Sequence, residues 1–217
     1  MDPTIWGPLL WHAFHDVAVH ADRTSGPPAD LVQAFYQAWI FLLPCKYCRN
    51  SYRDFVTGLP PNPPFKPWVY AVHQLVNQKL QKPTTLSYCD FLRRAEVYTA
   101  FGSLEDFLTV LYALALNYRD DDRPCLRTSK RKYLHSLVAT LPAVLPYPHA
   151  ASLFGRRGLR REDTVSQRQL VTWVYRKWNL YRTKTRQPAL PPAPELMRQF
   201  RPLRAKQKPT DISQPCR

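Results

Sequence analysis

Residues 38–58 read AWIFLLPCKYCRNSYRDFVTG, a stretch in which two cysteines follow closely on a proline. Pro44 ends the apolar helix before it and can open the helix after it, so we expect both cysteines at a helix start. Cys45 and Cys48 are three residues apart and face each other across one helical turn. The helix dipole and the unpaired N–H groups there stabilise a thiolate, which makes it a good attacking and leaving group. The stretch therefore predicts a redox-active disulfide, with a half zinc site or two inert thiols as the alternatives.

Helical spacing continues on both sides of this stretch. Almost every periodic segment has apolar residues three and four apart, which predicts an all-α fold. Seven prolines from Gln187 onward predict an extended tail. The predicted helices cover about residues 6–18, 30–43, 45–58, 67–80, 87–101, 104–118, 130–141 and 164–185.

The composition is that of a globular protein and excludes several classes. A length of 217 residues allows one large domain or two small ones. The six glycines never take the spacing of a Rossmann fingerprint or a P-loop, so a nucleotide cofactor would need another cradle. The longest apolar stretch is too short to span a bilayer, and the N-terminus lacks a secretory signal pattern. We therefore expect the protein in the cytosol or nucleus.

The net charge of +15 is unevenly distributed. Residues 1–100 contain 9 Lys or Arg against 7 Asp or Glu, whereas residues 156–217 contain 16 against 4. The basic character therefore belongs to the C-terminal third, which could contact nucleic acid, membranes or other anionic partners.

The three cysteines outside the motif are isolated in the sequence. They are Cys89, Cys125 and Cys216. Because no secretory signal is visible, we expect no stable structural disulfide, and we expect no second pair that could carry electrons to the first.

Two further residue pairs could hold a cofactor. Trp11 and His15 are one helical turn apart, as are His73 and Asn77, and each pair offers a flat or hydrogen-bonding surface. A dithiol alone passes electrons only to another thiol pair, so oxidation by molecular oxygen needs a cofactor. Taken singly, these residues are more typical of core packing.

Three motifs taken together resemble those of the Erv/ALR-type FAD-dependent sulfhydryl oxidases. In order, they are Trp6-Gly7-x-x-x-Trp11-x-x-x-His15, Leu43-Pro44-Cys45-x-x-Cys48 and Trp68-x-x-x-x-His73-x-x-Val76-Asn77-x-Lys79-Leu80-x-Lys82-Pro83. The resemblance covers about residues 5–95 and implies a helical bundle that binds FAD and no metal. Two positions depart from the usual family pattern, Pro8 in place of Arg and Gln74 in place of Asn.

The resemblance implies a thiol oxidase that forms disulfide bonds in substrate proteins. Cys45 would exchange with substrate dithiols and Cys48 would be the flavin-proximal sulfur, while oxygen would reoxidise the flavin and give hydrogen peroxide. Tyr52 could line the flavin pocket, although a core aromatic fits equally well. The implied cofactor-binding residues are Gly7, Trp11, His15, Tyr52, His73, Asn77, Lys79 and Lys82, of which the two lysines would face the phosphates.

The second half repeats three short blocks of the first half in the same order. Residues 14–18, 43–48 and 68–75 align with residues 111–115, 145–150 and 173–180. This predicts a degenerate duplication, with domains 1–100 and 101–186 and a basic Pro-rich tail 187–217.

Family enzymes commonly dimerise, so the second half would dock on the first as a pseudo-partner. Tyr147 and Ala150 stand at the cysteine positions and Trp178 at the His73 position, so we expect no second flavin. Such a chain is similar to the oxidases of large DNA viruses, most closely the baculoviral type, located in host cytoplasm, nucleus or virion. Association into a true homodimer stays open, and so does the alternative of two unrelated helical halves.

Two other functions compete with the oxidase. A nucleic-acid-binding helical protein would use the basic third with Trp173, Tyr175 and Trp178. A zinc-stabilised interaction module would complete the cysteine pair with His12 and His15.

Overall fold

The computed structural model describes residues 3–82, 87–97, 100–118, 124–155 and 158–200. Within these ranges the chain is all-helical and contains no strand, which confirms the predicted fold class. A 3-10 turn at Glu162–Thr164 precedes α9. The helices are α1 (Pro3–Ala21), α2 (Ala29–Leu42), α3 (Lys46–Gly58), α4 (Phe65–Lys79), α5 (Tyr88–Val97), α6 (Leu104–Leu116), α7 (Pro124–Val144), α8 (Ala150–Gly155), α9 (Gln167–Lys184) and α10 (Ala193–Gln199).

The junction between α2 and α3 has the form that its proline predicts. After α2 ends, the backbone of Leu43 is extended, and Pro44 leads into Cys45 as the N-cap of α3. The Sγ atom of Cys45 accepts a hydrogen bond from the Cys48 N–H at 3.3 Å. An acceptor at the N-cap satisfies one of the unpaired N–H groups of the first turn. The sulfur that starts α3 therefore lies at the positive end of the helix.

One carboxylate fixes the register between α1 and α4. Asp22, just beyond α1, accepts hydrogen bonds from the N–H groups of Phe65 at 2.7 Å and Lys66 at 2.8 Å, where α4 begins. The two packed helices therefore run antiparallel from this shared end. His15 lies seven residues before Asp22 and His73 lies eight residues after Phe65. At about 1.5 Å per helical residue, the two histidines reach the same height.

The two halves of the chain pack against each other through helices that the predicted duplication would pair. The predicted duplication pairs α1 with α6, α2 with α7 and α4 with α9. In the structure α1 packs against α6 and α2 packs along α7, while α1–α4 and α6–α9 are corresponding contacts within each half. One hydrophobic core extends through both halves. Contact between equivalent elements is the arrangement that a two-fold interface produces.

Buried Asp16 joins α1 to the second half. Its carboxylate accepts hydrogen bonds from the N–H groups of Phe101 at 2.6 Å and Gly102 at 2.9 Å and from the Tyr147 hydroxyl at 2.8 Å. Three donors offset the cost of removing this carboxylate from water. A glycine is needed at position 102 because an added Cβ would lie 2.9 Å from the Cβ of His12.

Several predicted helix limits need correction. α7 begins at Pro124 instead of about 130, α5 ends at Val97 instead of about 101, and the short α8 was not predicted. The acidic run of residues 120–122, between α6 and α7, lies outside the described residues.

The predicted extended tail is wrong for residues 193–199, which form α10. Pro192 is its N-cap and Pro194 lies in its first turn, where the missing N–H of proline costs no hydrogen bond. Leu190 and Leu196 are buried in the core and hold this segment on the bundle. Prolines therefore start a helix here, and the tail beyond residue 200 lies outside the described residues.

Candidate active site

The two motif cysteines are half-buried free thiols at the start of α3. The hydrogen bond from the Cys48 side chain, helped by backbone N–H groups and opposed by burial, lowers the pKa of Cys45 to about 6. The same hydrogen bond and burial raise the pKa of Cys48. At neutral pH the reduced pair therefore carries a thiolate on Cys45 and a thiol on Cys48.

Arg49 holds the segment that precedes the cysteines and brings a positive charge to them. Its Nη1 donates hydrogen bonds to the carbonyl oxygens of Leu43 at 2.6 Å and Pro44 at 3.5 Å. Its charge contributes to a lower pKa of both Cys45 and Cys48. Arg49 is not among the residues predicted from the sequence, although helical side chains lean toward the N-terminus and its position four residues after Cys45 is a usable signal.

The antiparallel helices α1 and α4 bring an indole and two imidazoles together. The rings of Trp11 and His73 stack with centroids 3.9 Å apart and planes 7° apart. The Nε2 atom of His15 lies 3.1 Å from Nδ1 of His73. Burial is the main cause that lowers the pKa of His15 to about 3 and that of His73 to about 4, so both rings are neutral at neutral pH. Three of the predicted site residues thus form one cluster.

Tyr52 connects the cysteine helix to this cluster through the core. It lies one turn after Cys48 and is buried, and its hydroxyl donates a hydrogen bond to the Tyr36 carbonyl at 3.1 Å. Its ring packs 6.0 Å from that of Phe14, which lies 5.5 Å from the Trp11 ring. Tyr52 therefore acts as a core aromatic between the two groups.

Two predicted contacts lie one turn from the cluster on the same helices. Gly7 precedes Trp11 on α1, and no atom of the described residues lies within 4 Å of the position that a Cβ would take there. Asn77 follows His73 on α4 and is half-buried. The space beside Gly7 leaves room for a ligand one turn from the stacked rings, and Asn77 offers a side-chain amide on the neighbouring helix.

The two predicted lysines are exposed at the end of α4. Gln81 takes a left-handed conformation with φ of 53°, and the Lys82 N–H returns to the Asn77 carbonyl at 2.9 Å. The chain therefore reverses direction after Lys79. The charge of Lys82, after burial, contributes to the lowered pKa of His73, so Lys82 acts electrostatically on the cluster.

The positions of the second half that the predicted duplication aligns with His15 and His73 carry aromatic rings. Tyr112 and Trp178 stand where the duplication places His15 and His73, and their rings are 6.1 Å apart. Phe200 packs 5.3 Å from Tyr112 and 6.0 Å from Trp178. Tyr112 and Trp178 are buried, and the half-buried Phe200 packs against both rings.

The other cysteines behave differently from one another. Cys89 is an exposed free thiol on α5. Cys125 is disulfide-bonded, which corrects the expectation that the chain has no structural disulfide. Cys216 lies outside the described residues.

The competing functions find little support in the structure. No group of three or more His, Cys, Asp or Glu that could hold a metal ion occurs within the described ranges. Trp173 and Trp178 are buried in the core, so neither indole is available to stack on a nucleic-acid base. Among the helices described, none has the length and apolar character needed to cross a membrane.

An all-helical bundle with a Cys-x-x-Cys turn at a helix start is typical of an oxidoreductase that acts on thiols. Residues 8–96 match the model of the Erv1 / Alr family. This part of the chain is similar to the Erv1 / Alr family of sulfhydryl oxidases, whose members bind FAD. No curated protein and no solved structure matches the chain.

The residues of the cluster fit the FAD that this family binds. Trp11 and His73 already stack directly on each other, so a flat ring system could pack only on an outer face of the pair. The open space beside Gly7 and the exposed Lys82 offer room and positive charge for a nucleotide. The neutral histidines add hydrogen-bonding groups in a half-buried setting.

Proposed function

We propose that the protein is an FAD-dependent thiol oxidase that forms disulfide bonds in substrate proteins. The observation that carries the proposal is the helix-start dithiol of low pKa in a bundle that also presents the Trp11–His73 stack. In this proposal Cys45 and Cys48 are catalytic. The proposed cofactor contacts are Gly7, Trp11, His73, Asn77, Lys79 and Lys82, and the buried His15 and Tyr52 support them from the core.

The first chemical step takes place at Cys45. A substrate thiolate attacks Sγ of Cys45 in the Cys45–Cys48 disulfide, forms a mixed disulfide and expels Cys48 as a thiolate. The pKa of Cys48 is raised mainly by the proton it shares with Cys45, and that cause disappears once Cys45 is bonded to the substrate. The charge of Arg49 then favours the Cys48 thiolate. This explains how Cys48 can act as a thiolate although Cys45 has the lower pKa in the reduced pair.

The second substrate thiolate attacks the substrate sulfur that is bonded to Cys45 in the mixed disulfide. The substrate disulfide forms, and Cys45 leaves as a thiolate. The motif then holds two electrons and takes up the protons that the substrate gave up. Bound FAD supplies two-electron acceptance from the dithiol and transfer to oxygen, which would become hydrogen peroxide.

The visible absorption spectrum of the purified protein tests the proposal. We expect a flavin spectrum that bleaches on anaerobic addition of a dithiol, and we expect Cys48→Ala to keep the colour and lose the bleaching. Cys89→Ala is the matched control, because Cys89 is an exposed thiol outside the motif, and it should bleach like the parent. A folded, colourless protein would overturn the proposal.

We also propose that the second half is a pseudo-partner that binds no flavin. The supporting contacts are α1 against α6 and α2 against α7, together with the closed aromatic group of Tyr112, Trp178 and Phe200. The chain would then comprise an oxidase domain at 1–100, a pseudo-oxidase domain at 101–186 and a basic tail at 187–217. This organisation agrees with an oxidase of the baculoviral type acting in host cytoplasm, nucleus or virion.

A chain expressed from residues 1–100 alone tests this role of the second half. It should expose the apolar faces of α1 and α2 and lose solubility or form a dimer, as seen by light scattering. A stable, flavin-loaded monomer of this fragment would remove the pseudo-partner role.

A further inference from the structure

The ring of His15 is enclosed, and only one of its two nitrogens has a hydrogen-bond partner. Nε2 lies 3.1 Å from Nδ1 of His73, whereas Nδ1 is buried and has no partner among the described residues. The rings of Phe91 and Phe101 lie 4.9 Å and 5.5 Å from the His15 ring. His15 itself is only 7% exposed, so its ring is removed from bulk solvent.

The contact between the two histidines contains a single proton. Both rings are neutral at neutral pH, because burial lowers both pKa values and the charges of His12, Arg94 and Lys82 act in the same direction. A neutral imidazole has one N–H and one bare nitrogen. The two nitrogens in contact therefore consist of one donor and one acceptor.

The two possible arrangements differ in what they leave buried. If His73 donated from Nδ1, His15 would have to carry its own proton on Nδ1, as a buried N–H without an acceptor. If His15 donates from Nε2, its Nδ1 is a bare acceptor. Orphaned N–H groups are rarer in proteins than unused acceptors, so the second arrangement is favoured.

We infer that His15 is a positioning residue that donates its Nε2 proton to Nδ1 of His73 and so fixes the proton of His73 on Nε2. The two nitrogens of an imidazole point in divergent directions, so the Nε2–H of His73 points away from His15. The stack with Trp11 holds the plane of the ring and hence the direction of this N–H. His73 is half-buried and can present the N–H as a donor of fixed direction.

The group that receives this hydrogen bond must be an acceptor. A carbonyl oxygen, an unprotonated ring nitrogen or a phosphate oxygen would fit, and the nearby charge of Lys82 favours an electron-rich one. This last step rests on the proposed function, in which the acceptor belongs to the bound flavin nucleotide. The arrangement of protons between His15 and His73 does not depend on whether a flavin is bound.

Long-range ¹H–¹⁵N spectra of the full-length protein labelled at its six histidines test the inference. A His73→Asn variant identifies the His73 signals. We expect His73 to show a protonated Nε2 and a bare Nδ1 from pH 6 to 8, with or without added FAD. A His73 ring protonated on Nδ1 would overturn the inference.

Substitutions at His15 separate the effect of the hydrogen bond from His15 to His73 from the effect of simple packing. His15→Gln retains a side-chain N–H that can reach His73, and we expect it to preserve the tautomer. His15→Leu removes the donor, so His73 should become a mixture of tautomers and its flavin affinity should fall about fivefold, the effect of one hydrogen bond. An unchanged His73 tautomer in His15→Leu would refute the inference that His15 fixes the proton of His73. If that variant does not fold, the parent and His15→Gln spectra still decide.

His20→Gln is the matched control, because His20 is on the same helix and is not among the groups whose charges act on His15 or His73. It should leave the His73 signals unchanged. If neither the parent nor any variant binds flavin, the proposed function fails. The spectra still test whether His15 fixes the tautomer of His73.

Discussion

A fall in pH from 7 to 5 should destabilise the protein through two buried imidazoles. Histidine has an ordinary pKa of 6.5, whereas burial lowers the pKa of His15 to about 3 and of His73 to about 4. The unfolded chain therefore binds protons at a pH where the folded protein does not. The stabilisation from both rings is present above about pH 6.5 and is lost as the pH falls toward the folded pKa values.

The magnitude follows from the linkage between proton binding and unfolding. For His15, the difference between the two pKa values costs about 2 kcal/mol of unfolding free energy between pH 7 and pH 5. The ring of His73 is half-buried, and solvent screening reduces its share to about 1 kcal/mol. A loss of about 3 kcal/mol is a large part of the 5–15 kcal/mol that holds typical domains together.

Urea unfolding followed by tryptophan fluorescence at both pH values measures this loss, with free FAD held constant. The comparison is the parent against His15→Gln, which should lose about 2 kcal/mol less between pH 7 and pH 5 because the variant lacks one titrating ring. Burial raises the pKa of Asp16, but this group is present in both proteins and cancels in the comparison. If His15→Gln loses as much stability as the parent, His15 is not the buried neutral base described above.

Three further substitutions test the site and its support. Asp22→Ala removes the carboxylate that caps α4 and should lower the unfolding free energy by about 1–2 kcal/mol, measured as the urea midpoint, while Asp22→Asn should lose less. Arg49→Met should raise the pKa of Cys45 above about 6 and move the pH profile of its alkylation upward, and Arg49→Lys should restore most of the profile; no shift in Arg49→Met would contradict the role of this charge. Tyr47 is 77% exposed between the two cysteines, so Tyr47→Ala should raise KM for a peptide dithiol and leave the rate with dithiothreitol unchanged; equal effects on both substrates would exclude a role in substrate contact.

The parts of the fold that could be predicted from the sequence depend on local rules. Helical spacing, the proline at position 44 and the cysteine at the N-cap all act within a few residues, and the structure follows them. The prolines near residue 192 show the limit of this reasoning. They suggested an extended tail, but proline also fits the first helical turn, and buried Leu196 decides in favour of a helix.

The parts that the sequence did not show depend on contacts between distant residues. Asp22 caps a helix that begins 43 residues later, and Asp16 binds backbone groups 85 and 86 residues away. Nothing in the neighbourhood of either aspartate indicates these partners. For the same reason the motif could name His15 and His73, but it could not show that they share a hydrogen bond.

The two halves of the chain show what separates a site from a core at equivalent positions. In the first half, His15 and His73 form a polar pair in which one ring is buried and the other half-buried. In the second half, Tyr112 and Trp178 take these positions, and Phe200 from the α10 end covers both rings. Under the proposed duplication, the second half needs only apolar surface to serve as a packing partner, so aromatic rings can replace the polar pair without loss of the interface. The first half keeps buried polar groups that cost stability at acid pH, and such a cost is expected where a site and not only a fold is maintained.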